Sequence, residues 1–525
     1  MSGWWQRAVV YHIYTWSFSD ANGDGIGDLE GIRGRLDYLR WLGVNTLWLS
    51  PIYPSPMADY GYDVADYAGI DPRFGTLAQF DGLAEAVHAR GMRLLLDFVP
   101  NHTSDRHPWF VESRRSRKSA TRDWYIWRDG TGGGPPNNWR SHFGGSGWEH
   151  DETTGQYYYH AFLKEQPDLN WRNPQVEAAM HDVLRFWLAR GVDGFRVDVI
   201  WHLVKDEQLR DNPPNPAYRD GMSPYRALVP EFSADRPEIH DVIARMRRVL
   251  AEYGERLLLG EIYLPLERLA GYYGVGGGAP HVPFNFHLIQ LPWSAPVLAS
   301  AIEAWERAVP PGAPSAWVLG NHDKPRVARR LGQAQARVAA MLLLTLPGMP
   351  TLYYGDEIGL EGVVPDAAMS LDPKGRRLPG WSRDAERTPM QWDDGPAAGF
   401  TTGRPWLPVQ PDFERVNVAA QRADPTSMLA LHRRLLEIRA ANPAIAHGKY
   451  TPGPIGEHVL TFTRSAPASR CVVALNLSAE PRRVPMREAV GAHVLVSTSL
   501  DRDDFVSGAL VLRPHEGVIV QWGRE

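Results

Sequence analysis

The sequence predicts an α/β fold: a (β/α)8 TIM barrel with a loop-rich insertion after strand 3 and a C-terminal antiparallel β-sandwich domain. Three observations carry that prediction. Eight short, β-rich apolar runs alternate with amphipathic helical stretches over about the first 440 residues, which implies a parallel sheet, and eight such units imply closure. Residues 101–174, after the third run, are rich in Gly, Pro, Asn, Trp and Tyr and carry no helical period. Beyond about residue 446 strands alternate with turns alone, as in an antiparallel domain.

The eight runs are "AVVYHIY" (8–14), "TLWLSPI" (46–52), "RLLLDFV" (93–99), "GFRVDVI" (194–200), "LLLGEI" (257–262), "VPFNFHL" (282–288), "AWVLGN" (316–321) and "TLYYGDE" (351–357). Helices with apolar residues at three- and four-residue spacing fit between most of them, from "LEGIRGRLDYLRWLG" to a last one, "MLALHRRLLEIRAAN" (428–442), ended by Pro443. So long a non-helical insertion as 101–174 is usually functional and reads as a small excursion over the barrel mouth. The expected division is 1–100 and 175–445 for the barrel, 101–174 for the insertion and 446–525 for the β-domain.

With 43% hydrophobic and 22% charged residues the chain has an ordinary globular composition, which excludes disorder. A net charge of -5 gives no nucleic-acid footprint. The apolar run 338–354 is too short for a membrane span and is broken by two prolines. No signal peptide is expected from "MSGWWQRAVVYHIY", and the single cysteine, Cys471, excludes an intrachain disulfide. The expectation is a cytoplasmic monomer or weak homo-oligomer.

In a barrel of this kind chemistry collects at the C-terminal strand ends. There the sequence places Asp97, Asn101 and His102, then Arg196 and Asp198, then Glu261, and finally His322 and Asp323. Arg196 and Asp198 are two apart in an otherwise oily run, so they leave a strand on one side while Phe195, Val197 and Val199 face the helices. One such pair is often a structural salt bridge. Three carboxylates on separate strand ends, each beside Arg or His, point instead to acid–base or covalent chemistry. With no Ser–His or Cys–His partner, they suit glycosidic cleavage.

The blocks "DFVPNH" (97–102), "GFRVDVI" (194–200), "GEIY" (260–263) and "NHDKPR" (321–326) resemble the four ordered signature regions of the α-amylase family, glycoside hydrolase family 13. "QPDLNW" (166–171) is similar to a fifth region typical of its oligo-1,6-glucosidase and α-glucosidase branch. The resemblance implies that Asp198 is the nucleophile, Glu261 the general acid/base and Asp323 the stabiliser of the distorted sugar. On physical grounds Arg196 is expected to hold Asp198 ionised, while Glu261 needs a raised pKa. By the same resemblance His102 and His322 would donate to the bound sugar. Asp59 in "DYGYD" would floor a blind pocket, Tyr62 would be a platform under the terminal glucose, and Arg387 would pair with Asp59 in preference to Arg383. Such a pocket implies exo action on short oligosaccharides. Val199 implies, by resemblance, a leaning to α-1,6 over α-1,4 bonds, with sucrose open. A transglycosylase or a sucrose- or trehalose-isomerising enzyme is the alternative.

"DANGDGIGD" (20–28) alternates oxygen-bearing residues at Asp20, Asn22, Asp24 and Asp28, and Ile26 could add a carbonyl. Family relatives carry a structural Ca²⁺ or Mg²⁺ in this loop, and a plain Asx-rich turn is the competing reading.

Overall fold

The structure is a computed structural model that describes residues 3–274, 280–486, 491–506 and 508–522. Eight parallel strands close a barrel: β1 (Val10–Ile13), β2 (Thr46–Leu49), β3 (Arg93–Phe98), β4 (Gly194–Val197), β5 (Leu257–Gly260), β6 (His281–Asn285), β7 (Ala316–Val318) and β8 (Met349–Tyr353), with β8 pairing back to β1. All eight of the apolar runs supply a strand. Nearly every strand residue is buried, because side chains on one face fill the lumen and those on the other meet the helices.

The helices follow local rules. Leu77–Ala89 starts at a capping box in which Thr76 and Gln79 satisfy each other's amides. Pro174–Ala189 starts with Pro at its first position and Asn173 as cap, and buries Val176, Met180, Leu184, Trp187 and Leu188 along one stripe. Met428–Ala441 is the last barrel helix, and Asn442 caps a further short one, Pro443–His447.

Two expectations change. The strand anticipated through Ile200 ends at Val197, since Val199 takes a left-handed conformation and Ile200–His202 form a 3-10 turn. The segment after β3 is not wholly free of helix. Pro108–Arg114 is helical, with His107 capping it, and seven residues make too few turns to show a period. The same segment holds a three-stranded antiparallel sheet, ordered Trp127–Arg128, Gln156–Tyr159, Trp148–Asp151.

The C-terminal region forms two antiparallel sheets, of six strands from Lys449–Pro452 onward and of two, Arg482–Met486 with Gly508–Leu512. One buried arginine, Arg464, ties it to the barrel, and a second, Arg439, braces the same helix end from within the barrel. Arg439 from the last barrel helix donates to the carbonyls of Leu344 and Leu346, both at 2.9 Å, and Arg464 from the sheet donates to those of Thr345 and Gly448. They thereby satisfy the orphan carbonyls at the end of the helix Val327–Thr345. Among the described residues no helix is long and apolar enough to cross a membrane.

Candidate active site

Strand register delivers the acids. Asp97 is level with Arg196 across β3 and β4, and Val197 is level with Gly260 across β4 and β5. Asp198 and Glu261 each lie one residue beyond that second pair, so the ladder sets two carboxyls side by side at the barrel mouth. The ladder continues to their amides: Asp198 N–H donates to the Phe98 carbonyl at 2.8 Å and Glu261 N–H to that of Val197 at 3.0 Å. Gly260 permits the approach, since a Cβ there would lie 2.3 Å from His281 Nε2.

One guanidinium organises the group. Arg196 Nη1 bonds Asp97 Oδ1 at 2.7 Å and Asp198 Oδ1 at 2.8 Å, while Nη2 bonds Glu261 Oε2 at 2.6 Å. Asp97 is braced further by Trp48 Nε1 at 3.2 Å and the Tyr62 hydroxyl at 3.0 Å. Val199, β-branched yet at φ +34°, donates its N–H to Glu261 Oε2 at 3.1 Å. Such a conformation costs about 1–3 kcal/mol and persists where the surroundings over-determine it, as functional sites do.

Arg196 pairs with Asp198 as expected, yet it only opposes a larger effect of burial. Burial raises the Asp198 carboxyl well above its ordinary value, Arg196 opposes this, and Glu261, Asp97 and Asp323 add like charge. Burial also pushes Asp97 up to about 6. A single positive charge divided among three carboxylates does not compensate all of them.

Asp323 is the opposite case. Burial would raise it, but the charges of Arg383 and Arg387, with His322 alongside, hold it well below the usual carboxylate range. Its Oδ1 meets Arg383 at 3.0 Å and Arg387 at 3.2 Å, and its Oδ2 meets His322 Nε2 at 3.4 Å. Burial pushes the His322 imidazole down to about 3, so it is neutral at pH 7, and its Nδ1 has no hydrogen-bond partner among the described residues. The His322 ring lies parallel to that of Tyr62, 5.2 Å away.

A correction concerns Asp59. Its ion pair is with Arg383, at 2.6 Å, and not with Arg387. Arg387 closes the one-turn helix Ala385–Arg387 and spends its guanidinium on the His322 carbonyl at 3.1 Å and on Asp323. Arg383, just before that turn, bridges Asp59, Asp323 and Asp372, the last at 2.6 Å. Asp372 escaped the sequence reading. Its one signal was an acidic residue before proline, and it does cap the helix Pro373–Arg377.

His102 is placed beside this group, but its ring is engaged. Nε2 faces the Tyr62 carbonyl at 3.0 Å and Nδ1 the Asn101 amide at 3.1 Å. Asn101 in turn donates to Asp168 at 2.9 Å and accepts from Lys205 at 2.7 Å. Lys205 also pairs with Asp168 at 2.5 Å, so the "QPDLNW" block is tied to the third strand end.

In the 20–28 loop the donor types suit a hard cation, but the oxygens serve the loop's own amides. Asp20 accepts from Asn22, Gly23 and Gly25 and from the Thr401 hydroxyl, Asn22 from Asp24, Asp24 from Ile26, and Asp28 from Ala21, Asn22 and Gly31. Among the described residues no three His, Cys, Asp or Glu side chains converge as a metal cage. The geometry is that of consecutive Asx turns.

Comparison with known proteins agrees with this arrangement. A family model for the α-amylase catalytic domain matches residues 12–448. Over 525 residues the chain is 41% identical to a probable alpha-glucosidase of Rhizobium meliloti (strain 1021), covering 95% of each. Over 521 residues it is 38% identical to the oligo-1,6-glucosidase of Parageobacillus thermoglucosidasius, covering 90% of each. Among solved structures, the alpha-glucosyl transfer enzyme XgtA superposes with a TM-score of 0.94 at 39% identity over 100% of both chains. The trehalulose synthase MutB from Pseudomonas mesoacidophila MX-45 does so at 0.91 and 34% identity, over 99% of this chain and 100% of that one. With the family match spanning most of its length and the signature blocks meeting at one barrel mouth, the chain belongs to the α-amylase family, glycoside hydrolase family 13.

Proposed function

We propose that the protein is a retaining, exo-acting α-glucosidase that removes terminal glucose from short oligosaccharides. The observation that carries this reading is the bonding of Asp198 and Glu261 to one guanidinium, because a retaining pair must lie about 5–5.5 Å apart. In the first step an oxygen of Asp198 bonds to the anomeric carbon as the glycosidic C–O bond breaks, and Glu261 gives its proton to the leaving oxygen. In the second, Glu261 takes a proton from water, the water oxygen bonds to the anomeric carbon and Asp198 is released.

Arg196, bonded to Asp198, opposes the rise that burial imposes on it, and attack requires that carboxylate free of its proton. Asp323, held ionised, would take the sugar hydroxyls, and His322 Nδ1 is available to one of them. The Asp59–Arg383 pair would close the far end of the pocket, which admits only a non-reducing terminus. Arg387 acts through Asp323 and the His322 carbonyl.

The substrate leaning is to α-1,6 over α-1,4 linkages. Comparing kcat/KM on isomaltose, maltose and sucrose, with the product anomer followed by NMR, tests both parts: α-glucose appearing first supports retention. A β-anomer first, or consumption of sucrose alone, overturns the mechanism or the leaning respectively. The likeness to an alpha-glucosyl transfer enzyme and a trehalulose synthase favours a second reading, transfer to another sugar, which rearranged disaccharide among the products would reveal.

The loop of Asp20, Asn22, Asp24, Ile26 and Asp28 is proposed as a seat for a structural Ca²⁺ or Mg²⁺ on its donor chemistry. Chelation is then expected to lower the melting temperature, and added Ca²⁺ to restore it. An unchanged melting curve assigns the loop to Asx turns alone. The one buried cysteine is consistent with a cytoplasmic enzyme.

A further inference from the structure

Three cationic side chains lie near His142, beside the Asp323–Arg383 group, and none has an ion pair with a carboxylate among the described residues. Lys324 directly follows Asp323, and its Nζ stands 5.4 Å over the ring of Tyr263, two residues beyond Glu261. Lys374 lies in the helix capped by Asp372, with its Nζ 5.4 Å over Trp381, an exposed ring. Arg226 sits on the one-turn helix Pro224–Ala227, whose Tyr225 stacks on His142 at 3.6 Å. His142 registers all three: burial first, then Lys374, Lys324 and Arg226, push its imidazole down to about 3.

The acids nearest these cations, Asp323 and Glu261 for Lys324 and Asp323 and Asp372 for Lys374, are already bonded to arginines. Asp323 and Asp372 are bonded by Arg383, and Glu261 by Arg196. Both lysines are half-buried, and burial is the main cause that lowers each, Lys374 to about 8. An ammonium withdrawn from water without a counter-ion is unfavourable, and an anion placed beside it recovers that cost. The location is specific. The Asp59–Arg383 pair marks the blind end, whereas Lys324 stands by the residue that protonates the leaving oxygen.

We infer that the leaving-group side of the pocket is built for an aglycone bearing a negative charge, a carboxylate or a phosphate, held between Lys324, Lys374 and Arg226. The inference rests on the α-glucosidase reading, with which it shares Glu261, and it deepens that reading by naming a substrate class. An anionic aglycone would gain charge-assisted bonds that neutral disaccharides cannot make, and the preference should weaken with salt.

Two matched pairs test it. The carboxylate arm compares 4-O-α-glucosyl-gluconate with maltitol, and the phosphate arm compares sucrose carrying a 6-phosphate on fructose with sucrose. At low salt the charged member of at least one pair is expected to have a kcat/KM about tenfold higher, a ratio that falls towards one in about 0.5 M NaCl. The ratio is also expected to collapse in the Lys324→Gln/Lys374→Gln variant and, in part, in Lys374→Gln alone. Because each neutral partner is its own reference, a general loss of activity in a variant does not move the ratio. Equal or lower rates on the charged members of both pairs overturn the inference; the lysines then only offset the carboxylates deeper in the pocket. A ratio untouched by either variant also overturns it. If no compound is cleaved, the glycosidase reading fails instead, and calorimetric binding of glucosyl-gluconate against maltitol still decides the charge question.

Discussion

Asp198→Asn is expected to lower kcat/KM by about four to six orders of magnitude on any α-glucoside the protein cleaves, with the fold preserved. The size follows from removing the oxygen proposed to bond to the anomeric carbon, since removing the nucleophile of a cooperating set costs nearly the whole chemical advantage. The preserved fold follows from electrostatics. Asp198 is isosteric with Asn, and its carboxyl is raised well above its ordinary value by burial and by Glu261, Asp97 and Asp323. A carboxyl raised in the folded state binds its proton more tightly there than in the unfolded chain. Its contribution to stability is therefore fully present below the unfolded value and is lost as pH rises through the folded one. The amide cannot ionise, so the variant should melt at least as high as the parent near pH 8, and any difference between them should shrink towards pH 4. Melting curves across that range check the sign, and steady-state rates check the loss. Activity within about tenfold of the parent would remove Asp198 from the mechanism.

Azide offers a sharper version of the same experiment. In Asp198→Gly the space beside the anomeric carbon opens to a small anion, which would attack from the face the carboxylate leaves. The expected product is the β-glucosyl azide, inverted relative to the substrate. An α-azide would mean that the vacated side chain does not face the anomeric carbon.

Much of this site was legible in the sequence because strand register is a local property. Apolar runs of six or seven residues announce the staves, and polar residues at their C-terminal ends must sit at the barrel rim. That placed Asp198, Glu261 and Asp323 at the rim, with their individual roles implied by the family resemblance; in the structure Asp198 and Glu261 share Arg196, and Asp323 pairs with Arg383 and Arg387. The partner of Asp59 was not legible, because Arg383 and Arg387 are both in irregular backbone. Which of them reaches Asp59 depends on the path from β8 through the turn Ala385–Arg387, and that path is set by tertiary contacts such as the Asp384 carboxylate accepting from Ser370 and Leu371. The positive φ of Val199 was equally hidden. A β-branched residue reads as a continuing strand, and the turn goes with two bonds no sequence shows, Val199 N–H to Glu261 Oε2 and His202 N–H to the Val199 carbonyl. The electrostatics of Asp198 were only partly legible for a related reason: a sequence shows a neighbour two residues away, not that the same guanidinium is shared with Asp97 and Glu261.

That shared guanidinium makes Arg196→Met the most demanding substitution for stability. Arg196 is 1% exposed and has three carboxylate partners, and breaking one buried ion pair by removing its cation typically costs about 3–5 kcal/mol. Methionine fills much of the volume, so the loss should be electrostatic rather than a cavity. Asp97, pushed up to about 6 even with Arg196 present, would rise further without it. A folded-state value above the unfolded one gives stability below about pH 4 that disappears as pH climbs through the folded value. The deficit of the variant should accordingly grow from pH 4 to pH 8. Activity should fall by about three orders of magnitude or more, because Asp198, already raised by burial, would rise further without its cation and Glu261 would lose its tether. Arg196→Lys separates charge from shape: one ammonium keeps the positive charge but cannot span three carboxylates in a plane. It should recover much of the melting temperature while recovering little of kcat. If Arg196→Met instead melts like the parent at pH 8 and retains its rate, the guanidinium is not what aligns the two acids, and their alignment must come from the strand ladder alone.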